Sequence, residues 1–138
     1  PVKFALIYGA SLIGGSLGVT LLAGSLDLTV GASGAIFGVF AAFAVLQVSR
    51  GLSPWANGIG STILLNLFIT FAVPGISIGG HLGGLVTGAV AGALLIGVNP
   101  RQALERQKQL PLFGAAVAGL AVVLFAASIA AAHALPLV

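Results

Sequence analysis

The chain has 138 residues, of which 59% are hydrophobic and only 5% carry a charge. A soluble domain has about a quarter of its residues charged, so this composition excludes a soluble enzyme, a nucleic-acid-binding domain and a disordered linker. The five Lys and Arg residues outnumber the two acids, but so few cations form no basic patch for nucleic acid. Since the chain has no Cys and only two His, we expect no metal site.

Long apolar runs predict membrane-spanning helices, because a bilayer core about 30 Å thick requires about 20 apolar helical residues. Five runs are long enough or nearly so, and in chain order they cover about 4–23, 32–48, 59–73, 80–98 and 112–132. Each run is continuous instead of alternating, which favours helices over the strands of a membrane barrel. The sequence therefore predicts an all-α, polytopic transmembrane helix bundle with five spans.

The cations all fall on one side of the predicted bundle, because the chain start and every second connection lie on the same side. They are Lys3, Arg50, Arg101, Arg106 and Lys108. By the positive-inside rule this side is cytoplasmic. We therefore expect an integral, multi-pass protein of a bacterial plasma membrane, with its N-terminus inside and its C-terminus outside.

The charged run at 99–111 divides the chain into two parts. Residues 1–98 contain four of the apolar runs, and residues 112–138 contain the fifth run and a short outer tail. We predict that 99–111 is a cytoplasmic polar loop at the membrane interface that orients the last helix.

Two polar residues differ from the many Ser and Thr side chains that can bond their own helix backbone. Ser33 lies in G-A-S-G (31–34) at the outer start of the second run, and His81 follows two glycines at the outer start of the fourth. Because these two runs have the same direction, Ser33 and His81 are expected at similar depth. An ionisable residue at membrane depth indicates a function, and a Ser and a His that meet can act as nucleophile and general base.

The residues around this pair are suited to bringing the two helices together. Small residues at helical spacing let backbones approach closely, and an aromatic ring one turn below Ser33 is placed to stack on His81. The supporting positions are Gly31, Gly34, Phe37, Gly38, Gly84 and Gly88. Asp27, the one acid on this side, is a weaker candidate as a partner of the imidazole.

G-A-S-G at the start of one helix and H-L-G-G-L-V-T-G at the start of another, two runs later, resemble the rhomboid intramembrane serine proteases. The resemblance implies that Ser33 is the nucleophile, His81 the general base, and Phe37 the aromatic residue that stacks on the histidine. It implies that residues 1–98 are a partial catalytic core, helices three to six, and that the last run is an additional C-terminal helix. The expected partners are transmembrane protein substrates, cleaved in or near their spans, and the lipid bilayer. The resemblance also implies that no metal or organic cofactor is needed.

The chain departs from the rhomboid pattern at one motif. A rhomboid core begins with two further helices, of which the second carries H-x-x-x-H-x-x-x-N, and nothing in this sequence matches it. We therefore expect an N-terminally truncated fragment that lacks part of the oxyanion hole and is inactive or poorly folded by itself, with the Ser33 N–H as the one assignable donor. One alternative that stays open is a catalytically inactive rhomboid-like protein that binds transmembrane clients. Less favoured are a small transporter, which the uncharged span interiors disfavour, and a structural membrane subunit, in which Ser33 and His81 would have no function.

Overall fold

The computed structural model describes residues 1–22 and 32–134, and within them all regular structure is helical. In chain order the helices are α1 (Val2–Leu22), α2 (Ser33–Ser49), α3 (Ile59–Ala72), α4 (Ile78–Ile96), α5 (Pro100–Lys108) and α6 (Leu110–Ala134). The prediction of an all-α bundle is confirmed. Asp27 and Gly31, two of the candidate residues of the predicted site, lie outside the described residues.

Three of the described helices, α1, α4 and α6, are long and apolar enough to cross a membrane. The helices α2 and α3 are also apolar, but they have 17 and 14 residues. At a rise of 1.5 Å per residue they extend about 26 and 21 Å, which is less than the bilayer core of about 30 Å. The described residues thus contain three candidate spans by length and composition, where the sequence predicted five.

The segment predicted to be a polar loop contains the short helix α5. Asn99 caps its N-terminus, because the side-chain oxygen accepts a hydrogen bond from the backbone N–H of Gln102 at 2.9 Å. Pro100 occupies the first helical position, where a missing N–H costs nothing. The guanidinium of Arg106 lies 3.6 Å above the ring centroid of Phe113 in α6. Local capping and this cation–π contact explain why the segment is helical instead of a loop.

Helix α4 lies at the centre of the bundle, with α1 and α2 packed along its length. Glycine contacts fix the directions: Gly34 meets Gly80 where α2 and α4 begin, and Gly92 meets Ala42 towards their other ends. The helices α2 and α4 are therefore parallel. Gly18, near the end of α1, meets the start of α4, so α1 is antiparallel to both. Helix α6 packs on α1, while α3 has less extensive contacts with α2 and α4.

The two ends of the bundle are held together differently. At the end where α1 begins, buried apolar side chains form a core of Ile7, Ala10, Ala42, Ala91, Leu95 and Val117. At the opposite end the helices meet backbone to backbone: a Cβ added to Gly34 would lie 2.7 Å from the carbonyl oxygen of Gly80. Such a close approach requires that no side chain intervenes. The starts of α2 and α4 are therefore fixed by direct backbone packing.

Candidate active site

Ser33 is the first residue of α2, and its side chain is exposed. It lines a cavity of about 250 Å³ formed by α1, the start of α2 and the start of α4. Other hydroxyl side chains share the lining, namely those of Ser16, Thr20 and Ser77. The predicted nucleophile therefore lies at an accessible, polar recess in an otherwise apolar bundle.

The backbone at the N-terminus of α2 offers hydrogen-bond donors beside the Ser33 side chain. The first hydrogen bond of α2 runs from the Ile36 N–H to the Ala32 carbonyl oxygen at 3.0 Å. The N–H groups of Ser33 and Gly34 precede it and have no partner within the helix, and Ala32 has no side-chain acceptor with which to cap them. A helix N-terminus favours negative charge. This geometry suits the predicted role of the Ser33 N–H as an oxyanion donor.

His81 lies in the first turn of α4 and is only 9% exposed. Ser77 caps this helix, because its hydroxyl accepts a hydrogen bond from the Gly80 N–H at 3.0 Å. The His81 N–H in turn donates to the Ser77 carbonyl oxygen at 3.2 Å. These two bonds fix the backbone that carries the imidazole, and Gly79 and Gly80 before it are also buried.

The ring of Phe37 stacks on the imidazole of His81, with centroids 4.2 Å apart and an angle of 18° between the planes. Phe37 is 4% exposed, so its own position is fixed by packing. Aromatic pairs in such an offset or stacked arrangement attract each other beyond the area they bury. Phe37 therefore restrains the plane of the imidazole from the side of α2.

The hydroxyl of Thr70 in α3 lies 2.7 Å from Nδ1 of His81. Thr70 is 2% exposed. By sequence alone Thr70 is one of many polar residues that can bond their own helix backbone, so the pattern does not predict this contact. Helix direction was the available signal: Thr70 lies near the end of α3, and α4 begins shortly afterwards on the same side of the bundle. A hydroxyl at that depth can reach the imidazole.

The structure places Ser33 and His81 at the same end of the bundle, on helices in direct contact. Of the glycines predicted to support the pair, the four in the described residues line this contact: a Cβ on Gly84 would overlap the backbone of Gly34, and one on Gly88 would overlap that of Gly38. Within the described residues the hydroxyl of Ser33 and the imidazole form no hydrogen bond. Catalytic hydrogen bonds are often long before substrate binds, and the roles of nucleophile and base stay predictions.

Comparison with known proteins gave consistent matches. The family model of the Rhomboid domain matches residues 1–98. Over 96 residues, or 67% of this chain, the sequence is 38% identical to Rhomboid protease GluP of Bacillus subtilis (strain 168), and the match covers 18% of that protein. RHOMBOID-like protein 4 of Arabidopsis thaliana is 27% identical over 115 residues, which is 80% of this chain and 28% of the relative.

The chain thus spans less than a third of the length of either relative. No solved structure gives a significant match. The Rhomboid domain match covers more than half of the chain and includes both the G-A-S-G segment and the helix that carries His81. The chain belongs to the rhomboid family.

Proposed function

We propose that this protein is an intramembrane serine protease that hydrolyses peptide bonds in or near the transmembrane segments of membrane proteins. One observation carries the proposal: an accessible serine at a helix N-terminus shares one end of the bundle with an imidazole held from two sides. Ser33 supplies the hydroxyl, while Phe37 and Thr70 hold His81. A rhomboid protease among the relatives supports this reading.

The chemistry divides between the two residues of the proposed dyad. The imidazole of His81 accepts the proton of the Ser33 hydroxyl as the oxygen attacks the substrate carbonyl. The first N–H groups of α2, which have no acceptor within the helix, stabilise the resulting oxyanion. When the C–N bond breaks, the imidazolium returns the proton to the leaving amine, and water then hydrolyses the acyl-enzyme by the same steps in reverse. No carboxylate is required, because packing and hydrogen bonds orient the histidine.

A protease of this kind requires that the dyad face the correct side of the membrane. We propose that five helices, α1–α4 and α6, cross the bilayer, with the shorter α2 and α3 accommodated by local thinning or by neighbouring helices. The end that carries Lys3, Arg50 and α5 is cytoplasmic, following the positive-inside rule. The Ser33 cavity then opens near the outer face of a bacterial plasma membrane, where water reaches it.

Active-site labelling tests the proposed nucleophile. The natural full-length protein that carries this sequence is treated in lipid with a fluorophosphonate, which reacts with activated serines. We expect a covalent label that disappears in Ser33→Ala and is retained in Ser128→Ala, a matched change in α6. Cleavage of a transmembrane substrate should be lost together with the label. A folded protein that takes no label would refute the proposal and favour a client-binding, catalytically inactive relative.

Sidedness is tested separately with single cysteines, since the chain has none of its own. Pro74 and Ser53 are both exposed, in the connections that follow and precede α3. A membrane-impermeant maleimide added to intact cells should label Pro74→Cys, and should label Ser53→Cys only after the cells are permeabilised. The opposite pattern would overturn the proposed orientation.

A further inference from the structure

The hydrogen bonds around Thr70 determine which nitrogen of His81 carries a proton. The Thr70 hydroxyl oxygen lies 2.7 Å from the backbone carbonyl oxygen of Asn66 and 2.7 Å from Nδ1 of His81. A hydroxyl has one proton to donate. The carbonyl oxygen can only accept, so that proton goes to Asn66. Both bonds exist together only if Nδ1 is the donor and the Thr70 oxygen is the acceptor.

We infer that Thr70 is a positioning residue that holds His81 as the Nδ1–H tautomer, so that the lone pair of Nε2 serves as the base for Ser33. This inference rests on the proposed function. In a catalytic triad a carboxylate accepts the bond from the imidazole N–H and selects its tautomer. Here a neutral hydroxyl on a neighbouring helix occupies that place, while the ring of Phe37 fixes the plane of the imidazole.

A second hydrogen bond lies along the same polar face of α3. The side-chain amide of Asn66 donates to the carbonyl oxygen of Thr62 at 2.8 Å. Asn66 and Thr70 are four residues apart and therefore share one face of α3, and both are at least partly buried. The large side chains of Leu64, Leu65 and Phe68 are exposed and lie around the rest of the helix. The polar face of α3 is thus the one turned to the imidazole.

The tautomer is measured directly by 15N NMR of the full-length protein, labelled at histidine and embedded in lipid. The His81 signals are identified by their loss in His81→Asn. We expect a protonated Nδ1 and an unprotonated Nε2 in the native protein. Thr70→Ser should preserve this state, whereas Thr70→Val, which keeps the shape and removes the acceptor, should shift the population towards the Nε2–H form. A native Nε2–H tautomer, or no change in Thr70→Val, would overturn the inference.

Kinetics separate a positioning role from a merely structural one. Thr70→Val should lower kcat on the order of tenfold, because a tenfold change in rate corresponds to about 1.4 kcal/mol, comparable to the net contribution of one hydrogen bond. KM should change by less than about twofold. The rate of fluorophosphonate labelling at Ser33 should fall by the same factor, and Thr70→Ser should restore both. Thr62→Val, the same substitution at the other end of α3, is the matched control. It should leave kcat, KM and the rate of labelling at Ser33 unchanged, because the backbone carbonyl of residue 62 is retained.

The possible results distinguish this inference from the proposed function. If Thr70→Val does not fold, Thr70→Ala replaces it in both experiments, with the same expected loss. Equal kcat values for the Thr70 variant and the Thr62→Val control would refute the positioning role even with an active enzyme. If instead Ser33→Ala retains full hydrolysis, the proposed dyad is wrong, whereas the NMR experiment still decides whether Thr70 selects the tautomer.

Discussion

Gly84→Ala is the substitution expected to disturb the contact between α2 and α4 most directly. An added Cβ would lie 2.8 Å from the Cα of Gly34 and closer still to its carbonyl oxygen. These are backbone atoms, so no side chain can rotate out of the way. Gly34 directly follows Ser33, which means that any displacement of the start of α2 also displaces the proposed nucleophile relative to His81.

The size of the displacement follows from the contact distances. Ordinary van der Waals contact at a Cβ begins at 3.4 Å. The start of α2 must therefore move until the 2.8 Å separation between the new Cβ and the Cα of Gly34 reaches that distance. The carbonyl oxygen of Gly34 lies closer still and requires a larger movement. Overpacking of this kind costs about 1–3 kcal/mol in the free energy of unfolding. A misplacement of about 1 Å at a reacting group can reduce the rate on the order of 100-fold. We therefore expect a large loss of activity with a moderate loss of stability.

The measurement compares kcat for cleavage of a transmembrane substrate with thermal unfolding in the same detergent or lipid. Gly9→Ala is the matched control, since a Cβ at Gly9 in α1 meets nothing within 4 Å, and it should retain native activity and stability. A Gly84→Ala protein with native kcat would refute the argument that backbone contact between α2 and α4 sets the geometry of the dyad.

Two further predictions concern other contacts of the structure. Phe37→Leu removes the ring stacked on His81, a contribution of about 0.5–1.5 kcal/mol; kcat should fall several-fold, while Phe43→Leu, on an exposed position of the same helix, should have no effect. Asn99→Ala removes the cap of α5 at a cost of about 1 kcal/mol. Amide hydrogen exchange in α5 should then accelerate with hydrolysis unchanged, and equal exchange rates in the two proteins would contradict the capping assignment.

The helices could be predicted from the sequence because burial in lipid demands continuous apolar runs. The predicted run at 59–73 and the observed α3, Ile59–Ala72, agree closely for this reason. Helix α5 could not be predicted in the same way, since its segment is mostly polar and has no continuous apolar run. Its helical state depends on the single cap by Asn99 and on the contact between Arg106 and Phe113, neither of which appears in a hydropathy pattern.

The candidate site was predictable as far as helix direction and spacing determine it. The direction of the runs places Ser33 and His81 at one end of the bundle. Helical spacing places the ring of Phe37 one turn below Ser33. Spacing does not give the rotation of α3 about its own axis. That rotation decides whether Thr70 or a neighbouring apolar side chain faces the imidazole, and it follows from packing against α2 and α4 instead of from any motif.

The imidazole of His81 is therefore held by two helices of different character. Phe37 belongs to α2, which is fixed to α4 by backbone contact at glycines, so the backbone that carries the stacking ring cannot move away without separating the two helices. Thr70 belongs to α3, a 14-residue helix with less extensive packing on its neighbours. A change that displaces α3 would leave the plane of the imidazole in place but remove the acceptor at Nδ1. The proposed base would then keep its position and lose its tautomer, which makes α3 the helix through which a distant perturbation can most readily reduce kcat.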